Sequence, residues 1–254
     1  IYTGKYKTLI NVPIAIASSL AASSVPALTA AYTNGRKDAV RAQINTAIRF
    51  IMVVAFPCAV GMGVLASPIL QLLFSDSTEL AANMLRLGCV SIIFFSLSTL
   101  SNGLLQGINR MKEPVKNALI ALVLHIGLLV VLMYVFDLNI YAVVYANAFF
   151  GLLMCLLNSH SVRKYSGYRQ EIKRTFVIPG VAAGIMGIAV FFTYKFMLYL
   201  LRVNALATIF SILAGVVVYA VVLLLLKGLT EEEIMKFPKG ATLVRLAQKM
   251  HLLR

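Results

Sequence analysis

Few side chains in this 254-residue sequence could perform covalent chemistry. A hydrolase or metalloenzyme requires a nucleophile beside a base, paired carboxylates, or closely spaced metal ligands. The long apolar stretches contain no acidic residue and one histidine at depth, His125, whereas His160 lies at the end of the fifth stretch. We therefore expect no catalytic residues, no metal site and no cofactor, and we interpret His125 as a hydrogen-bonded interior residue, with a proton relay as the alternative. The three cysteines are expected to be small packing residues without a disulfide: they are Cys58, Cys89 and Cys155.

Three cations could bind an anion. Lys5 and Lys7 precede the first apolar stretch, and Arg86 precedes the third, away from the main groups of basic residues. Positive charge at these positions would suit an anionic group of a substrate. For Arg86, attraction of the side chain to lipid headgroups is the alternative.

Uncharged polar residues are concentrated in the third apolar stretch, where Asn102 and Gln106 follow several Ser and Thr residues. Such groups need hydrogen-bond partners in hydrocarbon, so they must face other helices or a water-filled cavity. Asn102 and Gln106 are therefore candidates for contacts with substrate, and hydrogen bonding between helices is the alternative.

The elements that would position these residues are seven stretches without Asp, Glu, Lys or Arg. Each can hold the roughly 20 apolar residues with which an α-helix crosses about 30 Å of hydrocarbon. A charge at mid-bilayer costs about 2.5 to 3.5 kcal/mol, which explains why the charges are confined to connectors. The sequence predicts an all-α, polytopic membrane protein whose seven transmembrane helices lie at about 9–32, 50–73, 87–106, 117–136, 139–162, 175–198 and 203–226.

The connectors alternate between strongly basic and nearly free of basic residues. Most of the 23 basic residues lie in the first, third and fifth connectors and after Leu226. The positive-inside rule places these segments in the cytoplasm, with the amino end outside and the carboxyl end inside. Because the net charge of +14 is divided among membrane-flanking loops, it indicates attraction to membrane lipids and no nucleic-acid partner.

The first span is rich in Ala and Ser and contains Pro13 and Pro26. Small residues let helices approach closely, so we expect this helix to be central, with protein on several sides. Proline bends a helix, which makes Pro13 and Pro26 candidates for hinges or for simple packing kinks.

Two segments have apolar residues at helical spacing beside basic residues. The tail at 230–254 begins with a capping box, Thr230 with Glu233, and is predicted to be a cytoplasmic amphipathic tail. The other segment predicts an amphipathic helix on the cytoplasmic surface before the second span. Its apolar stripe consists of Val40, Ile44, Ala47, Ile48 and Ile51.

Three motifs together resemble a known family. They are NVPIAIASSLAASSVPALTAAY at 11–32, PCAVGMGVLASPILQLLF at 57–74 and LLQGINRMKEPVKN at 104–117. With the tail segment EEEIMKFPKG at 231–240, they resemble the polysaccharide biosynthesis proteins of the stage V sporulation protein B type. These are relatives of the lipid II flippases within the multidrug, oligosaccharidyl-lipid and polysaccharide exporter superfamily.

The resemblance implies two helical lobes of six spans around a central cavity, with two added carboxyl-terminal helices. Residues 1–165 would supply the span nearest the first lobe and the second-lobe bundle, and residues 166–229 the added pair, lining a groove for a lipid tail. The chain would then be a fragment of a longer protein, with the missing amino-terminal lobe as its partner.

The same resemblance implies a transporter that flips or exports a lipid-linked oligosaccharide or polysaccharide precursor by alternating access. Cations near the start of the first span would hold the substrate pyrophosphate, a role that would fall to Lys5 and Lys7. The position that matches a family arginine is Thr8.

Two other functions fit the pattern. A small-molecule or multidrug antiporter of the same superfamily would share the fold, although the added helix pair and basic tail favour a lipid-linked substrate. A seven-helix receptor or retinal protein would share the number of spans. A retinal protein needs a lysine deep in its last helix, and residues 203–226 contain none.

Overall fold

The computed structural model describes residues 2–76 and 78–228, so the predicted tail at 230–254 lies outside the described residues. The described residues form nine α-helices and two π-helical turns. In chain order these are the π-turn Tyr2–Tyr6, α1 Lys7–Thr33, α2 Lys37–Val64, α3 Ala66–Phe74, α4 Glu79–Gly88, α5 Ser91–Gly107, α6 Lys112–Tyr134, α7 Asn139–Ser166, the π-turn Lys173–Val177, α8 Ile178–Leu201 and α9 Asn204–Leu225.

The helices have the lengths and composition of membrane spans. Within the described ranges, six are long and apolar enough to cross a membrane, and α4 with α5 makes a seventh if the pair, bent by 46°, forms one span. The predicted all-α, polytopic membrane fold is confirmed.

The prediction of a separate surface helix before the second span is wrong. Residues 37–64 form the continuous helix α2, and the apolar stripe predicted to face the membrane surface is buried in the protein core, with Ile44 and Ile51 fully enclosed. The stripe continues in phase with the apolar face of the span, and no helix-breaking residue separates them. The chain breaks later, at Leu65, because Pro68 lacks the backbone N–H that would bond to Val64.

Helix α1 packs closely against α5 along small residues. A Cβ atom added to Gly103 would lie only 2.7 Å from the Ala21 Cβ, and the Thr29 hydroxyl donates a hydrogen bond to the Gly107 carbonyl at 3.0 Å. The expectation of close approach is confirmed. Within the described part of the chain, α1 contacts α2 and α5 on one side and leaves its other face exposed, so the expectation of protein on several sides stays a prediction.

The remaining helices complete two packed groups. Helix α7 packs between α5 and α6, and the pair α8–α9 packs on α2. Tyr219 on α9 joins the groups by donating a hydrogen bond from its buried hydroxyl to the Val53 carbonyl at 2.8 Å.

The connectors lie at two ends of the bundle. At one, which we call the basic end, the Arg110 guanidinium lies 4.5 Å over the Tyr165 ring, and a cavity is lined by both Gly35 and Gly167. At the opposite end, Lys5 meets Asp76, and the Asn204 amide donates a hydrogen bond to the Pro68 carbonyl at 3.2 Å. The basic connectors 34–36, 108–111 and 167–172 are therefore gathered on the same side.

Candidate functional site

The exposed face of α1 is more polar than the exposed faces of α6, α8 and α9. It carries hydroxyl, amide and small side chains together with two exposed aliphatic residues, Val12 and Ile16. We call it the polar face of α1; its polar members are Thr8, Asn11, Ser18, Ser19 and Ser23. The hydroxyls donate to carbonyls of their own helix, as in Ser18 to Ile14 at 3.2 Å and Ser19 to Ala15 at 3.0 Å. These bonds leave the hydroxyl oxygens able to accept hydrogen bonds from outside the helix.

Other exposed faces are strongly apolar. Helices α6, α8 and α9 expose large hydrophobic side chains, including Leu119, Ile120, Val123, Ile188, Phe192, Val216 and Val217. Such faces are stable against hydrocarbon, whereas a polar stripe is stable against water or a polar protein surface. The exposed faces of α6, α8 and α9 therefore suit hydrocarbon, whereas the polar face of α1 suits water or a polar protein surface.

Lys5 is held by an ion pair at the opposite end of the bundle. Its ammonium nitrogen lies 2.7 Å from Asp76 Oδ2, and the Asp76 side chain is only 7% exposed. The other carboxylate oxygen accepts hydrogen bonds from the Thr78 backbone N–H, at 2.9 Å, and from the Thr78 hydroxyl. These hydrogen bonds hold the pKa of Asp76 well below its usual range; the bond from Lys5 has the largest effect, and those from Thr78 come next.

Two further predicted cations lie near this end. Lys7 is exposed at the first residue of α1. Arg86 lies on α4, which packs against the first turn of the chain through Tyr6 and Gly88, and its guanidinium donates a hydrogen bond to Asn83 Oδ1 at 2.9 Å. The structure thus brings the element bearing Arg86 to the beginning of α1. Their binding of substrate stays a prediction.

Asn102 belongs to a buried amide network between three helices. The Asn158 amide donates to Asn102 Oδ1 at 2.7 Å, and the Asn117 amide donates to Asn158 Oδ1 at 2.9 Å and to the Ser161 hydroxyl at 3.1 Å. These bonds join α5, α6 and α7. Hydrogen bonding between helices, the alternative considered from sequence, describes the geometry of Asn102.

The five predicted binding residues do not form one cluster. Gln106 is exposed one residue before the end of α5, towards the basic end, while Lys5, Lys7 and Arg86 lie towards the other. The two proline candidates lie within an unbroken α1, with Pro13 buried and Pro26 exposed. A hinge role for either proline stays a prediction.

His125 joins α6 to α7. Its Nδ1 lies 2.8 Å from the Ala146 carbonyl oxygen, and its ring meets Phe150 edge to face at 5.6 Å. A carbonyl only accepts, so we assign the proton to Nδ1. This geometry agrees with the interior hydrogen-bonded role.

An apolar groove of about 430 Å³ runs between α2 and the α8–α9 pair. Its walls include Val53 and Pro57 from α2, Met186 from α8, and Gly215 and Tyr219 from α9. The groove is open and almost wholly hydrophobic, so it can accommodate a hydrocarbon chain. Periodicity could not locate it, because the packing of α8 and α9 on α2 depends on contacts between residues more than 120 positions apart.

Comparison with known proteins gives consistent matches. A family model described as Lipid II flippase MurJ matches residues 7–210. Lipid II flippase MurJ of Bacillus subtilis (strain 168) is 29% identical over 187 residues, which are 72% of this chain and 34% of that protein. Probable lipid II flippase MurJ of Bdellovibrio bacteriovorus is 28% identical over 184 residues, 69% of this chain and 35% of that protein. The chain spans about a third of the length of these relatives.

Proposed function

This chain belongs to the lipid II flippase MurJ family, and from that premise we propose that it forms part of a transporter for a lipid-linked oligosaccharide or polysaccharide precursor. The transporter would move a precursor of the lipid II kind across the cytoplasmic membrane by alternating access. The remaining lobe of the transporter would lie against the polar face of α1 across a water-filled cavity.

The polar face of α1 is the observation that carries this proposal. A lipid-linked sugar has a charged, hydrated head that cannot cross hydrocarbon unaided, whereas its tail can remain in lipid. A carrier for it needs a polar surface at membrane depth for the head and a lateral apolar path for the tail. The polar face of α1 would serve the head, and the apolar groove between α2 and α8–α9 would serve the tail.

The remaining assignments follow from the same proposal. The basic end would face the cytoplasm, with the amino-terminal side of the chain outside and the carboxyl-terminal side inside. Residues 1–165 would belong to the second-lobe bundle, and residues 166–229 would form the added helix pair. Lys5 and Lys7 would attract the pyrophosphate at the outer end of the polar face, with Arg86 and Gln106 near its two ends.

The test replaces Lys5 and Lys7 by Ala in the complete protein and follows the appearance of lipid-linked precursor in the outer leaflet. Lys195→Ala is the matched control, because Lys195 is an exposed lysine near the same end but on α8. We expect the paired substitution to reduce transport and the control to leave it unchanged. Full transport by the Lys5/Lys7 variant would remove both lysines from the substrate path, and export of cationic dyes instead of precursor would favour the multidrug alternative.

A further inference from the structure

The basic end contains a pocket whose shape is fixed by the connector between α7 and the following π-turn. Tyr168 in this connector is buried, and its hydroxyl donates a hydrogen bond to Asn45 Oδ1 on α2 at 3.0 Å. The Tyr168 backbone N–H donates to the Ser166 hydroxyl oxygen at 3.1 Å. The pKa of Tyr168 is raised to about 12, mainly because the side chain is buried. Its hydroxyl therefore keeps its proton and remains a hydrogen-bond donor at neutral pH.

Gly167 allows a cationic side chain to lie across this turn. The backbone φ angle of Gly167 is +65°, a value that residues with a side chain rarely adopt. A Cβ atom at this position would also lie 2.9 Å from the Arg41 Nη2 atom. The turn therefore brings the Arg41 guanidinium from α2 beside the end of α7.

The result is a concave surface with an excess of positive charge. A cavity of about 740 Å³ is lined by Arg41, Arg163 and Arg169, with Glu171 as the one carboxylate in its wall. Arg41 has an exposed partner in Asp38 at 3.7 Å. In the ranges that the structure describes, neither Arg163 nor Arg169 forms an ion pair. All three arginines are exposed, and like charges that line one cavity disfavour each other unless an anion lies between them.

We propose that this arginine pocket, formed by Arg41, Arg163 and Arg169, binds a phosphate group. Guanidinium groups present paired N–H donors whose spacing matches phosphate oxygens, so several of them around one cavity favour phosphate over a monovalent spherical anion. The phosphate could be the headgroup of an anionic membrane lipid or the free ion. The pocket lies just beyond the last apolar turn of α7, a depth at which a headgroup can enter it. This inference does not depend on the proposed transport function.

The test uses the complete protein in a zwitterionic detergent, with short-chain phosphatidylglycerol and inorganic phosphate as probes. Binding is measured by isothermal titration for the wild type and for the Arg163→Gln, Arg169→Gln double variant. Lys173→Gln with Arg174→Gln is the matched control, because it removes the same charge from exposed residues next to the pocket. We expect the pocket variant to weaken binding by about tenfold or more, since it removes charge-assisted hydrogen bonds. The control should stay within about twofold of the wild type.

The competition arm separates the two sources of phosphate. Displacement of phosphatidylglycerol by inorganic phosphate would identify the free ion as sufficient, and binding of the lipid without such displacement would identify the headgroup. Arg163→Lys with Arg169→Lys should restore part of the affinity, because charge is kept and the paired donors are lost. Equal weakening in the pocket and control variants, or no binding of either probe to the wild type, would overturn the proposal.

Discussion

At the scale of single residues, the ion pair between Lys5 and Asp76 ties the beginning of the chain to a connector 71 residues away. Asp76 is nearly enclosed, and its second oxygen is held by Thr78. The pair therefore fixes the orientation of Lys5 at the entrance to α1. Nothing in the local sequence joins these residues, so Lys5 could be predicted as a cation near the outer end while its partner could not.

We predict that Asp76→Asn lowers the melting temperature of the protein in detergent. The substitution keeps the shape of the side chain and removes the charge that pairs with Lys5. Lys5→Met should destabilise as well, and the double variant should lose less than the sum of the two changes, because both remove one interaction. Additive losses in thermal unfolding would contradict a direct coupling.

The ion pair should be insensitive to mild acid. The pKa of Asp76 in the folded protein is depressed, and an unfolded aspartate titrates near 3.9. The stabilisation is then fully present above about pH 4 and is lost as the pH falls through the lower folded-state pKa. We expect the melting-temperature difference between the wild type and Asp76→Asn to stay constant from about pH 8 to pH 5. A difference that fades already within this range would contradict the assignment.

At the scale of elements, the close contact between α1 and α5 depends on the glycines of α5, and Gly103 is the one that lies against Ala21. Gly103→Ala places a methyl group 2.7 Å from the Ala21 Cβ, so the helices must separate. We expect a loss of about 1 to 3 kcal/mol in unfolding free energy. Exchanging the two residues, with Ala21→Gly added, should recover much of the loss. Gly127→Ala is the control, because no atom lies within 4 Å of its added Cβ, and it should be neutral or stabilising.

The amide network should stabilise the α5–α6–α7 group. Asn158 is fully buried and bonds to both Asn102 and Asn117. Asn158→Leu removes the hydrogen-bond partner of the Asn102 and Asn117 side chains, so we expect a loss of about 1 to 3 kcal/mol in unfolding free energy. Unfolding of the protein in detergent measures this loss of free energy. Asn11→Leu is the control, because it makes the same change of residue type at an exposed position. Equal stability of the Asn158 variant and the wild type would show that the network contributes nothing.

Most helices could be predicted from the sequence, whereas few of the contacts between helices could. Charge-free stretches identify the spans because hydrocarbon excludes charge, and each predicted span overlaps an observed helix. The differences are two breaks and the beginning of α2, which lies at Lys37 instead of near residue 50. Both breaks, at Leu65 and between α4 and α5, lie within apolar sequence, where hydropathy gives no signal. The stripe from Val40 to Ile51 was correctly predicted as helical, but an apolar stripe does not reveal whether it faces lipid or protein. Asn102 and Lys5 have partners from distant helices, which no local pattern encodes.

At the scale of the whole molecule, the two ends should lie in different compartments. In a variant without native cysteines, we expect single cysteines at Asn34 and Arg169 to react from the same side of the membrane. Cysteines at Thr78 and Asp137 should react from the other side. Labelling of intact cells with an impermeant thiol reagent distinguishes them, and only the Thr78 and Asp137 positions should react from outside. Reaction of Arg169 and Thr78 positions from one side would contradict the arrangement.

The 28 residues of α2 make a rod of about 42 Å at 1.5 Å per residue, about 12 Å longer than a typical hydrocarbon layer. Its first turns carry Lys37, Asp38 and Arg41, so the surplus length belongs at that charged extremity and stands clear of the acyl chains. Such a helix need not tilt steeply to remove hydrophobic mismatch. Arg49, which lies deeper in the rod, is enclosed by protein and donates a hydrogen bond to the Gly228 carbonyl at 2.9 Å. The bundle should consequently tolerate a somewhat thicker bilayer, since further turns of the rod can be covered before Arg41 meets the acyl chains.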